Sequence, residues 1–271
     1  MNQVVIPEVV ALDIETTGLD AEKGDRICEI ALLRIAAGQI QQKLVTLVNP
    51  EREISFPAHL VHRITPQMVE KSPRFREIAP LVSNFIQGKT LLIHNAGFDL
   101  TFLKIQMDHC GLSFPETSLV DTLQVARHFF NYPSNNLYAL AERLHIPINL
   151  AWKHRAEPDA WTAYAILEHL WKDLRRSGIR WENIVSSTRR VDISLKAQEI
   201  LPEILLQALG KTKRVAIRYI ERDNQVITQE IEPIEIVREE GGIYLLSLCP
   251  DGRQEKKFRL DHIMEVVENI Q

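Results

Sequence analysis

At 271 residues, 45% hydrophobic, 25% charged and with a formal net charge of −4, the chain has the composition of a folded globular protein of two domains, which excludes disordered and fibrous classes. The opening MNQVVIPEVV has neither the basic n-region nor the apolar length of a secretory signal, and no apolar run reaches the ~18 residues of a membrane span, so a cytoplasmic protein with no membrane partner is expected. Cys28, Cys110 and Cys249 are far apart and form no CxxC pair, which leaves neither a disulfide framework nor a zinc site and predicts thiols packed as small hydrophobes.

Apolar alternation and β-branched runs predict strands over Val9–Glu15, Arg26–Ile35 and Ile40–Val48, with Ala37-Gly38 turning between the last two. A proline-rich loop follows, then a helix over Glu77–Gln87, a buried strand Thr90–Ile93 and a helix over Gly97–His109 capped by Asn95. A strand near Leu119 leads to helices over Thr122–Phe130 and Asn136–Leu144. The last helix starts at Pro158, and Ala160, Ala163, Tyr164, Leu167, Leu170, Trp171 and Leu174 line one buried face. Strands first, then strands alternating with helices, predict an α/β domain with a mixed sheet over residues 1–176.

After Ser177-Gly178 the pattern changes. Residues 177–200 read as a connector and 201–271 as a second domain, in which a short helix near Pro202–Leu209 precedes strand signals alone, broken by Asp223-Asn224, "EEGG" and "PDGR". A small β-barrel or curled sheet fits. Residues 172–218 hold eleven Lys and Arg against five acids, so this span is basic within an acidic chain. It reads either as a solvated connector of mixed charge or as the footprint of a polyanion.

Chemistry collects at the ends of three elements. In "ALDIETTGL", Asp13 and Glu15 lie two apart on a strand, so both carboxylates point to one face. A D-x-E pair arises by chance about once in a chain this long, but packing gives no reason for an apolar strand to end in two acids. In "LLIHNAGFDLTFL" a second apolar strand ends and Asp99 enters the first turn of a helix; in "HRAEPDA", Asp159 does the same. A favourable helix dipole would also explain either aspartate, and Phe98 reads equally as core. His154 precedes its helix and has no such explanation.

If the four acids converge, each pair ~4 Å apart costs ~4 kcal/mol at an effective dielectric of ~20. Divalent cations relieve that cost, and an all-oxygen set suits Mg²⁺ or Mn²⁺ rather than zinc. Two such ions ~3.5–4 Å apart can bind one phosphodiester, acidify a water and stabilise the leaving oxygen. A nearby histidine that does not ligate them is kept neutral by their charge, which suits His154 to accept the proton of that water.

"DIETTGL", "HNAGFDLTFL" and "HRAEPDA" resemble the three exonuclease motifs of the DEDDh, or DnaQ-like, 3′–5′ exonucleases, a resemblance that extends over about residues 8–175 through "RICEIALLRI", "HRITPQMV" and "VDTLQVAR". It implies a ribonuclease H-like fold, a mixed sheet of about five strands flanked by helices. It also implies two divalent metal ions, Mg²⁺ or Mn²⁺, held by Asp13, Glu15, Asp99 and Asp159, with His154 as general base. Thr17, His62 and Phe98 fall where the family contacts the terminal nucleotide. A tyrosine-type site would carry Tyr four residues before the last Asp, a position held here by Arg155.

The tail, in "RVAIRYI", "IEPIEI", "GGIYLLSLC" and "KKFRLDHI", resembles a WYL domain, a small SH3-like or Sm-like β-barrel associated with nucleic-acid or ligand sensing. Arg218, Tyr244 and Arg259 match that family's pattern. Ile243 stands where its tryptophan would be and His262 where an arginine is usual, and Tyr244 and Phe258 read alternatively as barrel core. Together these readings predict an exonuclease that releases nucleoside 5′-monophosphates from single-stranded or frayed 3′ ends of DNA or RNA. The competing reading is a nucleic-acid sensor whose nuclease half only binds. Oligomeric state is not legible.

Overall fold

The computed structural model describes residues 6–187, 214–221, 225–239, 242–249 and 254–268. In chain order the first part forms β1 (Val9–Thr16), β2 (Ile27–Ala36), β3 (Gln39–Leu47), α1 (Phe56–His62), α2 (Pro66–Val69), α3 (Phe75–Ile86), β4 (Thr90–Ile93), α4 (Ala96–His109), β5 (Ser118–Asp121), α5 (Thr122–Phe129), α6 (Leu137–Arg143), α7 (Ala156–Arg176) and the two-residue β6 (Ser186–Ser187). Its sheet runs β3-β2-β1-β4-β5-β6, with β1 antiparallel to β2 and parallel to β4. The β2–β3 turn places Ala37 at φ 50° and Gly38 at φ 76°, the paired left-handed geometry that matches strand twist.

Two buried layers flank the sheet. Val9 and Ala11 of β1 pack with Ala160, Tyr164 and Leu167 of α7, whereas Val10, Leu12 and Ile14 pack with Val82 of α3 and Leu100 of α4. β1 is therefore covered on both faces, which is why its first residues read as an unbroken apolar run rather than a clean alternation.

Several expectations need correction. The proline-rich loop contains α1 and α2, each with proline in its first turn behind a hydroxyl cap: Ser55 Oγ accepts from Ala58 N at 3.3 Å and Thr65 Oγ1 from Met68 N at 3.3 Å. Helices this short carry no readable period. α7 starts at Ala156, ahead of Pro158, because a proline in the first turn lacks only an N–H that would go unpaired there. Asn95 takes the cap position of α4 at φ 70° but makes no side-chain cap bond; the Asp121 carboxylate accepts from Asn95 N at 3.1 Å and Ala96 N at 3.0 Å instead.

The second part forms β7 (Val215–Ile220), β8 (Val226–Glu239), β9 (Gly242–Leu248), β10 (Glu255–Arg259) and β11 (Ile263–Glu268), in the antiparallel order β10-β9-β8-β7-β11 around Val215, Ile217, Ile231, Leu245, Phe258 and Leu260. The expected barrel is not closed among the described residues. A single 3₁₀ turn, Leu260–His262, carries the chain from β10, paired to β9, across to β11, paired to β7, so the two strands lie at opposite edges. β8 slips register between Pro233 and Glu235, where proline has no N–H for the ladder. The Pro202–Leu209 helix, most of the basic connector and the Asp223-Asn224 turn lie outside the described residues. The three thiols are free, with Cys28 buried and Cys110 and Cys249 half-buried. Among the described residues no helix is long and apolar enough to cross a membrane.

Candidate active site

Strand parity builds the centre. Asp13 and Glu15 continue the Val9–Ala11 face of β1, towards α7, and Asp159 stands in the first turn of that helix. One carboxylate oxygen from each of Asp13, Glu15 and Asp159 lies within 4.8 Å of the others. Asp99 comes from α4 on the opposite face and reaches β1 through its edge: Asp99 Oδ1 accepts from Ile14 N at 3.2 Å. It adjoins Asp13 without joining the three-oxygen cluster.

Burial, and next to it the Asp99 charge, push the Asp13 carboxyl well above its ordinary range; burial and the Asp159 charge do the same for Glu15. Burial raises Asp159 to about 7, against the hydrogen bonds it accepts from Tyr138 and His154 N–H. Asp99 is also raised, by burial, although its bonds to backbone N–H groups oppose this. Oxygen ligands sit ~2.0–2.6 Å from a hard cation, so ~4–5 Å is the widest spacing one ion spans. The cluster therefore fits a hard divalent ion by distance and by donor type, and a bound ion would offset both the cost of burying these charges and their mutual repulsion.

His154 is half-buried, at φ 59°, with its ring edge-on to Tyr138 at 4.9 Å. Burial lowers its pKa to about 4, so the ring is neutral at pH 6, where an ordinary histidine would be mostly charged. Tyr138 on α6 ties this corner together, donating to Asp159 Oδ2 and accepting from His154 N at 2.6 Å. The Lys153 ammonium lies 4.3 Å from its ring centre. Sequence reading missed Tyr138, because nothing in an ordinary amphipathic helix marks a tyrosine that another helix will meet.

Glu29 was also missed. On β2 it is directly opposite Glu15, a like-charge pair across two strands. The buried Glu29 carboxylate takes a fork from Arg155, Nε at 2.9 Å and the terminal nitrogen at 2.5 Å, and a third bond from Ala156 N at 3.0 Å. A glutamate at an inward position of the apolar run "ICEIALLRIA" was the available signal.

Beside Glu15 opens a cavity of about 140 Å³ lined by Ile14, Thr16, Phe98 and His62 among others. Phe98, half-buried and 5.0 Å from the Phe102 ring, lines it. His62 also lines it, but both ring nitrogens are engaged: Nδ1 accepts from Ile64 N at 3.0 Å and Nε2 faces Thr16 O at 3.2 Å. Only ring surface is left for a ligand. Thr17 is fully buried, and its hydroxyl donates to Asp25 at 3.0 Å and accepts from Arg26 N at 3.0 Å, so Thr16 and Gly18 line the cavity in its place. Any side chain at Gly18 would displace the Asp25 carboxylate, since a Cβ would fall 2.3 Å from it.

In the second sheet Tyr244 and Arg259 are cross-strand partners, on β9 and β10. Arg218 is exposed on β7, and register pairs it with Thr228, far along β8 from Val237, the partner of Tyr244. Phe258 is core.

A family model described as Exonuclease, of the RNase T type, matches residues 10–167, and a WYL-domain model matches residues 201–268. The chain is 31% identical over 252 residues to a PolC-type DNA polymerase III of Caldanaerobacter subterraneus subsp. tengcongensis, an alignment that takes in 90% of this chain and 18% of that protein. It is 32% identical to the 3′-5′ exonuclease DinG of Bacillus subtilis, over 62% of this chain and again 18% of the relative. It is 35% identical to DNA polymerase III subunit epsilon of Rickettsia prowazekii, over 56% and 68%. The chain thus spans under a fifth of the length of the first two relatives. Exonuclease X, solved in complex with 5′-overhanging duplex DNA, superposes with a TM-score of 0.50 at 26% identity over 66% of this chain and 97% of that one. A 3′-exonuclease solved on a histone mRNA stem-loop shares the fold, with a TM-score of 0.54 at 17% identity. The chain belongs to the DnaQ-like family of 3′–5′ exonucleases, and a WYL domain follows its nuclease domain.

Proposed function

We propose that the protein shortens single-stranded or frayed nucleic acid from the 3′ end, releasing nucleoside 5′-monophosphates by metal-assisted hydrolysis. The observation that carries this is the three-carboxylate cluster of Asp13, Glu15 and Asp159, with neutral His154 at the same helix start and an apolar cavity beside Glu15. The residues that would hold the ions are these three, with Asp99 as the fourth. Divalent cations bound there supply Lewis-acid polarisation of the scissile phosphate and lower the pKa of a water.

The chain's own residues do the rest. His154, uncharged at neutral pH, accepts the proton of the attacking water through a free ring nitrogen. Tyr138 holds Asp159 and the His154 backbone in one geometry, which limits the reorganisation needed in the transition state. Phe98 offers a face on which an unpaired base stacks. The relatives named for DNA polymerase III and the neighbour solved on duplex DNA support DNA as substrate, and the neighbour solved on histone mRNA keeps RNA within reach of the fold. The C-terminal sheet is assigned to binding or sensing the polynucleotide.

The test is a time course on matched 5′-labelled DNA and RNA oligonucleotides with Mg²⁺ or Mn²⁺. Stepwise shortening of at least one, abolished by chelation, is expected. No shortening of either, with binding retained, would leave a nucleic-acid sensor and remove the hydrolytic reading.

A further inference from the structure

The cavity beside Glu15 is not built by the nuclease domain alone. One side is Ile14, Glu15, Thr16, Gly18, Leu19 and Phe98, and α1 contributes Ala58, Val61 and His62 behind its cap Ser55. The last two lining residues, Leu260 and Ile263, come from the second sheet. The 3₁₀ turn that carries Leu260 and the strand β11 that starts at Ile263 both pack against α1. Helix α1 is fixed in turn to the end of β1, since Ser55 N donates to Thr17 O at 3.0 Å. Packing is thus continuous from the carboxylate strand to the C-terminal sheet.

The lining is mostly apolar, and one carboxylate of the acidic cluster, Glu15, belongs to it. At about 140 Å³ it compares with the roughly 150 Å³ apolar cavity that holds a single benzene ring, so it has room for one planar ring system. Leu260 is anchored, 5% exposed within the core of its own sheet, and Ile263 is half-buried against the same core, so neither has to be ordered by the ligand.

We propose that Leu260 and Ile263 of the C-terminal domain form the outer wall of the pocket for the terminal nucleobase, so that the WYL domain selects unpaired 3′ ends by enclosing the base rather than only by holding the strand. This rests on the hydrolytic reading above. A base seated there would meet both Phe98 and Ile263, and a paired terminus would have to unpair before its phosphate reached the carboxylates.

The experiment compares kcat/KM on oligonucleotides that end in an ordinary nucleotide or in an abasic one, for the unsubstituted 271-residue chain and for Ile263→Ala. Loss of a branched side chain facing the base lowers kcat/KM on the ordinary end by roughly 5- to 20-fold. That decrease exceeds the one on the abasic end by at least fivefold. Equal decreases on the two ends, or none, would overturn the wall. Failure of the unsubstituted protein to cut either end would instead remove the hydrolytic reading, and the wall with it. A second measurement does not depend on that variant folding: a diazirine on the terminal base, bound to His154→Ala carrying both domains, is expected to crosslink within residues 260–263. Crosslinks confined to residues 14–98 would overturn the proposal.

Discussion

At φ 59° His154 occupies the left-handed region, which costs a non-glycine residue about 1–3 kcal/mol and persists only where its surroundings demand it. The demand here is geometric: this backbone turns the His154 N–H onto Tyr138 while leaving the imidazole outside the carboxylate cluster. Replacing His154 with Ala is expected to lower kcat by ~10² or more with Mn²⁺ affinity, measured by calorimetry, nearly unchanged. A matching loss of Mn²⁺ binding would make it a ligand. The carboxylates make the opposite prediction. Asp13 is raised because it is buried among like charges, so in the metal-free protein its ionised form opposes folding. Asp13→Asn is expected to raise the Tm in chelator by ~2–6 °C, to abolish cleavage, and to blunt the concentration-dependent rise in Tm expected of the unsubstituted protein with Mg²⁺. A lower Tm in chelator, or a Mg²⁺ response as large as the parent's, would contradict an electrostatically frustrated metal site.

Among the elements, β1 decides which acids meet. Its two-residue period sends Asp13 and Glu15 to the α7 side and leaves Asp99 to approach from the α4 side. That alternation is legible from "ALDIET" alone, and so is the shared face of the two acids. Which helix covers that face is not legible, because either flanking layer could have supplied Asp159. The Glu15–Glu29 opposition has the same character: each residue is plain in its strand, and only the β1–β2 register brings them together. Arg155 makes that register tolerable. Arg155→Ala leaves a buried carboxylate unpaired opposite another and is expected to lower the unfolding free energy by about 3–5 kcal/mol, read from the urea midpoint at constant m. A change below about 1 kcal/mol would mean that water or the remaining Ala156 N–H bond compensates.

Over the whole molecule, among the described residues, the nuclease part holds two large cores and a small cluster of Cys28, Ile64 and Val69, the C-terminal sheet has a core of its own, and the two parts adjoin at α1. Deleting residues 201–271 is expected to weaken binding to a 3′-ended oligonucleotide and to flatten its salt dependence, by ~0.7–0.9 in slope for each phosphate that the second domain neutralises, while cleavage persists. Affinity and slope both unchanged would remove the second domain from substrate binding. The sequence by itself determined the order of the longer strands and helices of the nuclease domain, though not the short α1, α2 and β6, together with the three acid-bearing motifs and the change of pattern after Ser177-Gly178. Those features are local, since two- and 3.6-residue periods and short motifs are written within a few residues of one another. Only the tertiary structure decided that three of the four acids share one cluster, that the hydroxyl of Thr17 and the ring nitrogens of His62 are already bonded within the protein, and that the second sheet, not closed among the described residues, reaches the cavity. These are outcomes of packing between distant segments, where the partner of each polar atom depends on which surface is pressed against it.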